Sequence, residues 1–159
     1  MSRFKELSKQ KFLLLDSLLT DQELIKAVVY DTPDFLYRED IDYEKAQSYV
    51  FNRVYPQRFI AGTPSEIKTY LTISFEDYRP INGYFKSGRI RISAFTHHTL
   101  YSSIDGFLRI DLIMERIDEL LNSQRKLGIG KMEFSERNPL TVTTDYHGEY
   151  IIYRIVDFN

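Results

Sequence analysis

Three groups of residues in this chain have types that could do chemistry: its histidines, a Gly-x-Gly-Lys stretch and a run of alternating carboxylates. The histidines are His97, His98 and His147. Neighbours on a strand point to opposite faces, so His97 and His98 are not expected to hold one metal together. A site joining one of them to His147 and a carboxylate would need the fold to assemble it, and loop-end surface histidines are the favoured reading. Gly128-Ile129-Gly130-Lys131 resembles a phosphate loop only superficially. The first-glycine position of that motif holds Arg125, and its Ser/Thr position holds Met132. The stretch also leads from helix to strand, whereas phosphate loops lead from strand to helix. It reads as a helix end and a turn. The carboxylates of Glu39-Asp40-Ile41-Asp42-Tyr43-Glu44 alternate as in a calcium loop. With Asp40 as first ligand, however, the twelfth position holds Phe51, and there is no glycine at the sixth. Carboxylates entering a helix N-terminus account for the run better. There is no Gly-x-Ser-x-Gly elbow, and the absence of cysteine excludes a thiolate metal site, a cysteine nucleophile and a disulfide scaffold. The chain therefore reads as a protein without catalytic, cofactor-binding or metal residues, and not as an enzyme.

What is abundant is aromatic. The 159 residues include 12 Tyr and 11 Phe but no Trp, and this length suits one domain, 1–159, with its own core. With 21 Lys and Arg against 23 Asp and Glu, the formal net charge is −2, unlike the strongly basic balance of a free-standing nucleic-acid binder. Charges at Arg3, Lys5, Glu6 and Lys9 argue against a signal peptide, and no apolar run approaches the ~20 residues of a membrane span.

The elements that must position these residues follow from periodicity. Residues 1–30 form an N-terminal helical part. Leu7, Leu14, Leu15, Leu18 and Leu19 fall near helical spacing, and Thr20-x-x-Glu23 has the pattern of a capping box that starts a second helix through Leu24, Ile25, Val28 and Val29. Residues 31–67 carry Pro33, Pro56 and Pro64 and read as a long irregular segment with one short helix over 42–53. A connection of that length in a compact domain is usually functional. Residues 68–159 form an α+β core. Leu71, Ile73 and Phe75 alternate with polar residues, as do Ile90, Ile92 and Ala94, giving a hairpin turned by residues 79–83. An amphipathic helix over 105–122 carries Ile110, Ile113, Met114, Ile117, Leu120 and Leu121, with Asp105 as its cap. Strands follow around Met132 and Phe134, over 140–143, and over 150–156, the last apolar on both faces. The predicted fold class is thus α+β: an antiparallel sheet with one amphipathic helix packed on a face, plus the N-terminal helices.

Phe75 and Phe134 are expected in the core. Tyr43, Tyr49, Phe51, Tyr55, Phe59, Tyr78, Tyr84 and Phe85 fall in turn-rich sequence and are the candidate interface residues, since aromatics are enriched at protein contacts. The two-sided last strand and the 78–88 loop are further candidate patches. Asp111, Glu115, Asp118 and Glu119 share the wet side of the amphipathic helix. They could line a channel past which DNA slides, like charge repelling phosphate. A competing reading is a nucleic-acid-binding α+β module using Arg89, Arg91, Tyr70 and Tyr153 as a basic-aromatic sheet face.

Over residues 65–159 the chain resembles the tail-terminator and neck (head-tail joining) proteins of tailed bacteriophages. The resemblance rests on Ile67-Lys68-Thr69-Tyr70-Leu71, on Tyr101-Ser102-Ser103-Ile104-Asp105-Gly106 with the helix after it, and on the order of hairpin, helix and closing strands. It implies a structural virion protein that closes with copies of itself into a ring, typically a hexamer, between tail tube and head connector. A head-closure or tail-completion subunit of the same neck is the neighbouring possibility. The resemblance also implies DNA passing through the lumen without specific binding, no cofactor, no membrane, and assembly in the bacterial host cytoplasm into the virion. A ring of this kind needs two different complementary patches on each subunit.

Overall fold

The computed structural model describes residues 4–59, 66–81, 84–123 and 130–157; the side chains at 4, 6, 78–81, 84–87, 156 and 157 fall outside that description. The chain opens with helices α1 (Phe4–Leu19) and α2 (Gln22–Val29). The break between them comes at Thr20, and the cap is Asp21 rather than the expected Thr20: its carboxylate accepts from the Leu24 amide at 2.9 Å. Thr20 Oγ1 instead donates back to Ser17 O. Leu14, Leu15, Leu18 and Leu19 of α1 and Leu24, Ile25 and Val28 of α2 are buried.

Over its described residues 31–59, the 31–67 segment is more ordered than Pro33 and Pro56 suggest. It holds a 3-10 turn over Phe35–Tyr37, helix α3 (Tyr43–Gln47) and strand β1 (Val54–Tyr55). Helix α3 begins where the carboxylate reading placed a helix start, with Asp42 accepting from Lys45 N at 2.8 Å. It stops after five residues instead of reaching 53, because the chain must turn back into β1. That reversal passes through Phe51 at φ 64°, whose amide donates to Val54 O.

Strands β2 (Thr69–Ile81), β3 (Tyr84–His97), β4 (Lys131–Thr141) and β5 (Tyr146–Asp157) complete a five-stranded sheet of order β1-β2-β3-β5-β4. All neighbours are antiparallel except β1 and β2, which run parallel. Two regions expected to be separate strands, around 132–134 and 140–143, are one strand, β4, with a register shift between Phe134 and Glu136. That irregularity interrupts the alternation and hides the continuity from a period-two reading.

Helix α4 (Arg109–Leu121) lies with α1 and α2 on one face of the sheet. It starts four residues later than Asp105: the N-cap position is Leu108, without a side-chain cap, and Asp105 accepts a hydrogen bond from Tyr37 OH at 2.7 Å. Ile110, Ile113, Met114, Ile117 and Leu121 meet Leu71, Ile73, Ile90, Ile92, Ala94, Ile151, Tyr153 and Ile155 in the main core. The period-two strands put these side chains on one face, and the helical stripe covers them. Phe75 is half-buried against this core. Phe134 is 48% exposed, contrary to expectation, because β4 is the sheet edge.

Arg109 holds the helical layer together. Fully buried, it donates Nε to Leu100 O at 2.8 Å, Nη1 to Ala27 O at 2.5 Å and Tyr30 O at 2.8 Å, and Nη2 to Thr32 O at 3.0 Å. Its guanidinium also lies 4.2 Å from the Phe35 ring centroid. Burial pulls it down to about 10, so it stays charged at neutral pH. The guanidinium thereby satisfies carbonyls at the end of α2 that have no helical partner.

Candidate functional site

Along β3 the odd-numbered residues Arg89, Arg91, Ser93, Phe95 and His97 point away from the helices. Their cross-strand partners on that side are Tyr70, Thr72, Ser74 and Glu76 of β2 and Gly148, Tyr150 and Ile152 of β5. None of the described helices covers this side. At one end the residues build a second, aromatic core: Tyr70, Phe95 and Tyr146 are buried together, roofed by Tyr55, Phe59, Leu140 and Val142. The Tyr55 and Phe59 rings stack at 4.0 Å, and Phe59 lies 5.2 Å from Tyr70. Burial raises the Tyr70 phenol to about 12. Tyr146 OH donates to Glu66 O, which ties the start of the hairpin to β5. Gly148 is required here. A Cβ on it would come within 1.8 Å of Ala94 O on the neighbouring strand.

Beside the aromatic cluster is a groove of about 330 Å³ lined by Thr72, Ser74, Ser93 and Thr141 hydroxyls, by Phe59 and Phe95, and by two arginines, Arg58 and Arg91. Glu76 Oε1 lies 3.4 Å from Arg58 Nη2 and 3.4 Å from Arg91 Nε. One carboxylate thus faces two guanidinium groups. Arg91 Nε is buried and makes no hydrogen bond, and its guanidinium sits 4.2 Å from the Tyr150 ring centroid. The sheet face is therefore partly basic, as the nucleic-acid reading required, with Arg89, Arg91 and Tyr70 on one side. Tyr153 is on the other side, fully buried with its hydroxyl donating 2.7 Å to Asp118, and its burial raises its pKa. Arg89 is paired with Asp77 and Glu136. A basic-aromatic platform of those four residues does not form.

The hairpin overshoots the sheet. β3 pairs with β5 only as far as Arg89↔Arg154, and β1 reaches only Leu71 and Thr72 of β2. Beyond these, Arg79↔Ser87, Pro80↔Phe85 and Ile81↔Tyr84 pair with each other alone among the described residues. A two-stranded arm results. It follows a register shift at Asp77, whose φ is 54°.

The predicted interface residues divide accordingly. Tyr43 and Phe51 are exposed, 45% and 58%. Tyr49 packs against the main core, and Tyr55 and Phe59 roof the aromatic one, so these three serve the fold. Tyr78, Tyr84 and Phe85 have their backbone in the arm, and their side chains lie outside the described ones. The last strand offers no free patch at Ile151, Ile152, Tyr153 or Ile155, which are all buried within the chain; the side chain of Val156 lies outside the description. The acidic helix face is largely engaged. Asp111 pairs with Arg137 at 2.6 Å, Glu119 pairs with Arg116, and Asp118 holds Tyr153; Glu115 is exposed.

Two adjacent histidines behave unlike strand neighbours. His97 ends β3, but His98 opens a 3-10 turn (His98–Leu100), so the alternation stops between them. Their rings come together at 4.3 Å, and Asp145 joins them from the β4–β5 turn. Gly130 lies at φ 107° just before β4, as a turn requires, while Gly128 and Ile129 fall outside the described residues.

These features define an α+β protein whose sheet is helix-covered on one face and grooved on the other, with a protruding hairpin. Residues 21–155 match the YomW family, and the chain belongs to that family. The family is named like a gene product of the SPbeta phage region of Bacillus, and that name points to a phage-associated protein. No curated protein and no solved structure matches. Among the described residues no helix is long and apolar enough to cross a membrane.

Proposed function

We propose that this phage-associated chain is a structural subunit of the virion, a ring-forming tail-terminator or neck component that joins tail tube to head connector. The observation that carries the proposal is the arm formed by β2 and β3 beyond the sheet. A two-stranded ribbon is marginally stable in water, so one that leaves its sheet is suited to docking on a neighbour. Phe51 supports the same reading. A bulky residue in the left-handed region costs roughly 1–2 kcal/mol, and here it holds an exposed ring out from the turn before β1. Arm and Phe51 are different surfaces, as a head-to-tail ring demands. A head-closure or tail-completion subunit of the same neck would use the same two features.

The reaction chemistry of the groove is poor. Its two arginines face one carboxylate, Glu76, which also accepts from Ser74 Oγ at 3.1 Å, and the proposal assigns the groove no catalytic role. The groove favours one second reading, contact with a nucleic-acid strand, since Arg91 over Tyr150 is a cation–π pair that a base or phosphate could join. Mass spectrometry of gradient-purified particles from an induced lysate tests the proposal. The chain should be found in the particles at a few copies relative to the major capsid protein. Its absence from intact particles would overturn the proposal.

A further inference from the structure

His97, His98 and Asp145 each offer one ligand atom, and the three atoms lie within 4.8 Å of one another. We infer that these three residues form a binding site for a divalent transition-metal ion of the zinc, cobalt or nickel kind. Two imidazoles and a carboxylate are a borderline donor set suited to such ions, and a three-residue set leaves further coordination positions to water or another ligand. The site is built by the fold and not by sequence spacing, since its halves lie 47 residues apart: 145 against 98.

Two contacts hold the halves in register, and a third orients one ring. His98 N donates to Asp145 O at 2.9 Å, which clamps the β4–β5 turn to the end of β3. His97 Nδ1 lies 2.8 Å from Thr99 Oγ1 and 3.3 Å from Thr99 N; with the metal on Nε2, Nδ1 carries the proton and donates it to the Thr99 hydroxyl, which orients the ring. The His97 ring also meets Tyr146 edge-on at 5.4 Å, with Tyr146 fully buried. His98 Nε2 and Asp145 Oδ1 are already 3.8 Å apart. Metal–ligand bonds of ~2.0–2.2 Å put neighbouring ligands about 3–3.6 Å apart, so exposed side chains need close in by only about 1 Å. His98 and Asp145 are 57% and 52% exposed and free to do so. His147 does not belong to the set, since its Nε2 contacts Thr144 O at 2.8 Å.

The test is a titration of the metal-stripped full-length protein with Zn²⁺ by calorimetry and with Co²⁺ by visible absorption. The wild type should take up one ion per chain with a ligand-field band in the Co²⁺ spectrum. His98→Ala and Asp145→Asn should each weaken binding by roughly tenfold or more, and His147→Ala by less than about twofold. Thermal melting without metal, unchanged in these exposed variants, keeps a folding defect from mimicking the result. Wild-type binding no tighter than that of His98→Ala, or equal loss in His147→Ala, would overturn the assignment. Neither outcome bears on the ring proposal, which the particle composition tests separately.

Discussion

The two faces of one sheet are built from the same strands and spent differently. Toward the helices, Ile73, Ile90, Ile92 and Ile151 are aliphatic, fully buried and covered by α1, α2 and α4. Toward the other side, the buried Thr72 and Ser93 line a groove with Ser74 and Arg91, beside the aromatic cluster of Tyr70, Phe95 and Tyr146. The first face is covered by helices; among the described residues no helix covers the groove, and the arm strands pair only with each other. The difference separates residues that make the fold from residues that are available to make contacts.

The comparison breaks most sharply on the helical side. Arg109→Ala leaves four backbone carbonyls buried without their donor, so it should cost about 4 kcal/mol or prevent folding. Urea unfolding measures this, and a loss under 1 kcal/mol would mean that the helical layer does not depend on that guanidinium. Next come adjacent residues on opposite faces. Ile92→Ala, in the covered core, should cost about 3 kcal/mol, whereas Ser93→Ala should cost less than about 1. Equal losses would erase the distinction between the faces.

Alkaline pH sharpens it further. Tyr153, Tyr70 and Tyr101 are all raised by burial, the latter two to about 12, from an ordinary value of 10.0. Their folded forms keep a proton that the unfolded chain releases, so the stability they contribute is full below pH 10 and falls as pH climbs beyond it. Tyr153→Phe removes one such group together with its hydrogen bond to Asp118. Its stability should start lower and decline less steeply from pH 10 to 12. An unchanged slope would contradict the assignment of that titration to Tyr153. The smallest effect is expected at Phe51. Phe51→Asn relieves a left-handed aromatic and should stabilise the isolated chain by about 1 kcal/mol while weakening self-association. A variant that is destabilised and still assembles would place Phe51 in the fold rather than in a contact.

Much of this was legible in the sequence, and the reasons it stopped being legible are local. Alternation at Leu71, Ile73 and Phe75 and at Ile90, Ile92 and Ala94 identified the hairpin and its covered face. The stripe from Ile110 to Leu121 identified α4. The role of Arg109 is not legible there, because a charged residue beside a stripe reads as solvated. Its position four residues before Ile113, on the same side of the helix, was the available sign. Adjacency alone makes His97 and His98 strand neighbours on opposite faces, and only the turn after His97 brings their rings together. Tyr49, Tyr55 and Phe59 lie in turn-rich sequence with little periodicity to bury them, yet they pack on the two cores. Short elements such as β1 have too few residues to show a period, yet β1 is what carries Tyr55 over the second core.

The central claim, that the arm assembles the protein and does not fold it, has a direct test. Deleting residues 78–87 joins Asp77 to Gly88 between the paired residues Glu76 and Arg89, leaving an Asp-Gly loop of the kind tight hairpins favour. Light scattering on the full chain and on this deletion, at matched concentration, gives the answer. The account predicts a ring of copies, six by the resemblance to tail terminators, for the full chain, and a monomer with an unchanged melting temperature for the deletion. A full chain that stays monomeric at high concentration, or a deletion that still forms the ring, would contradict it.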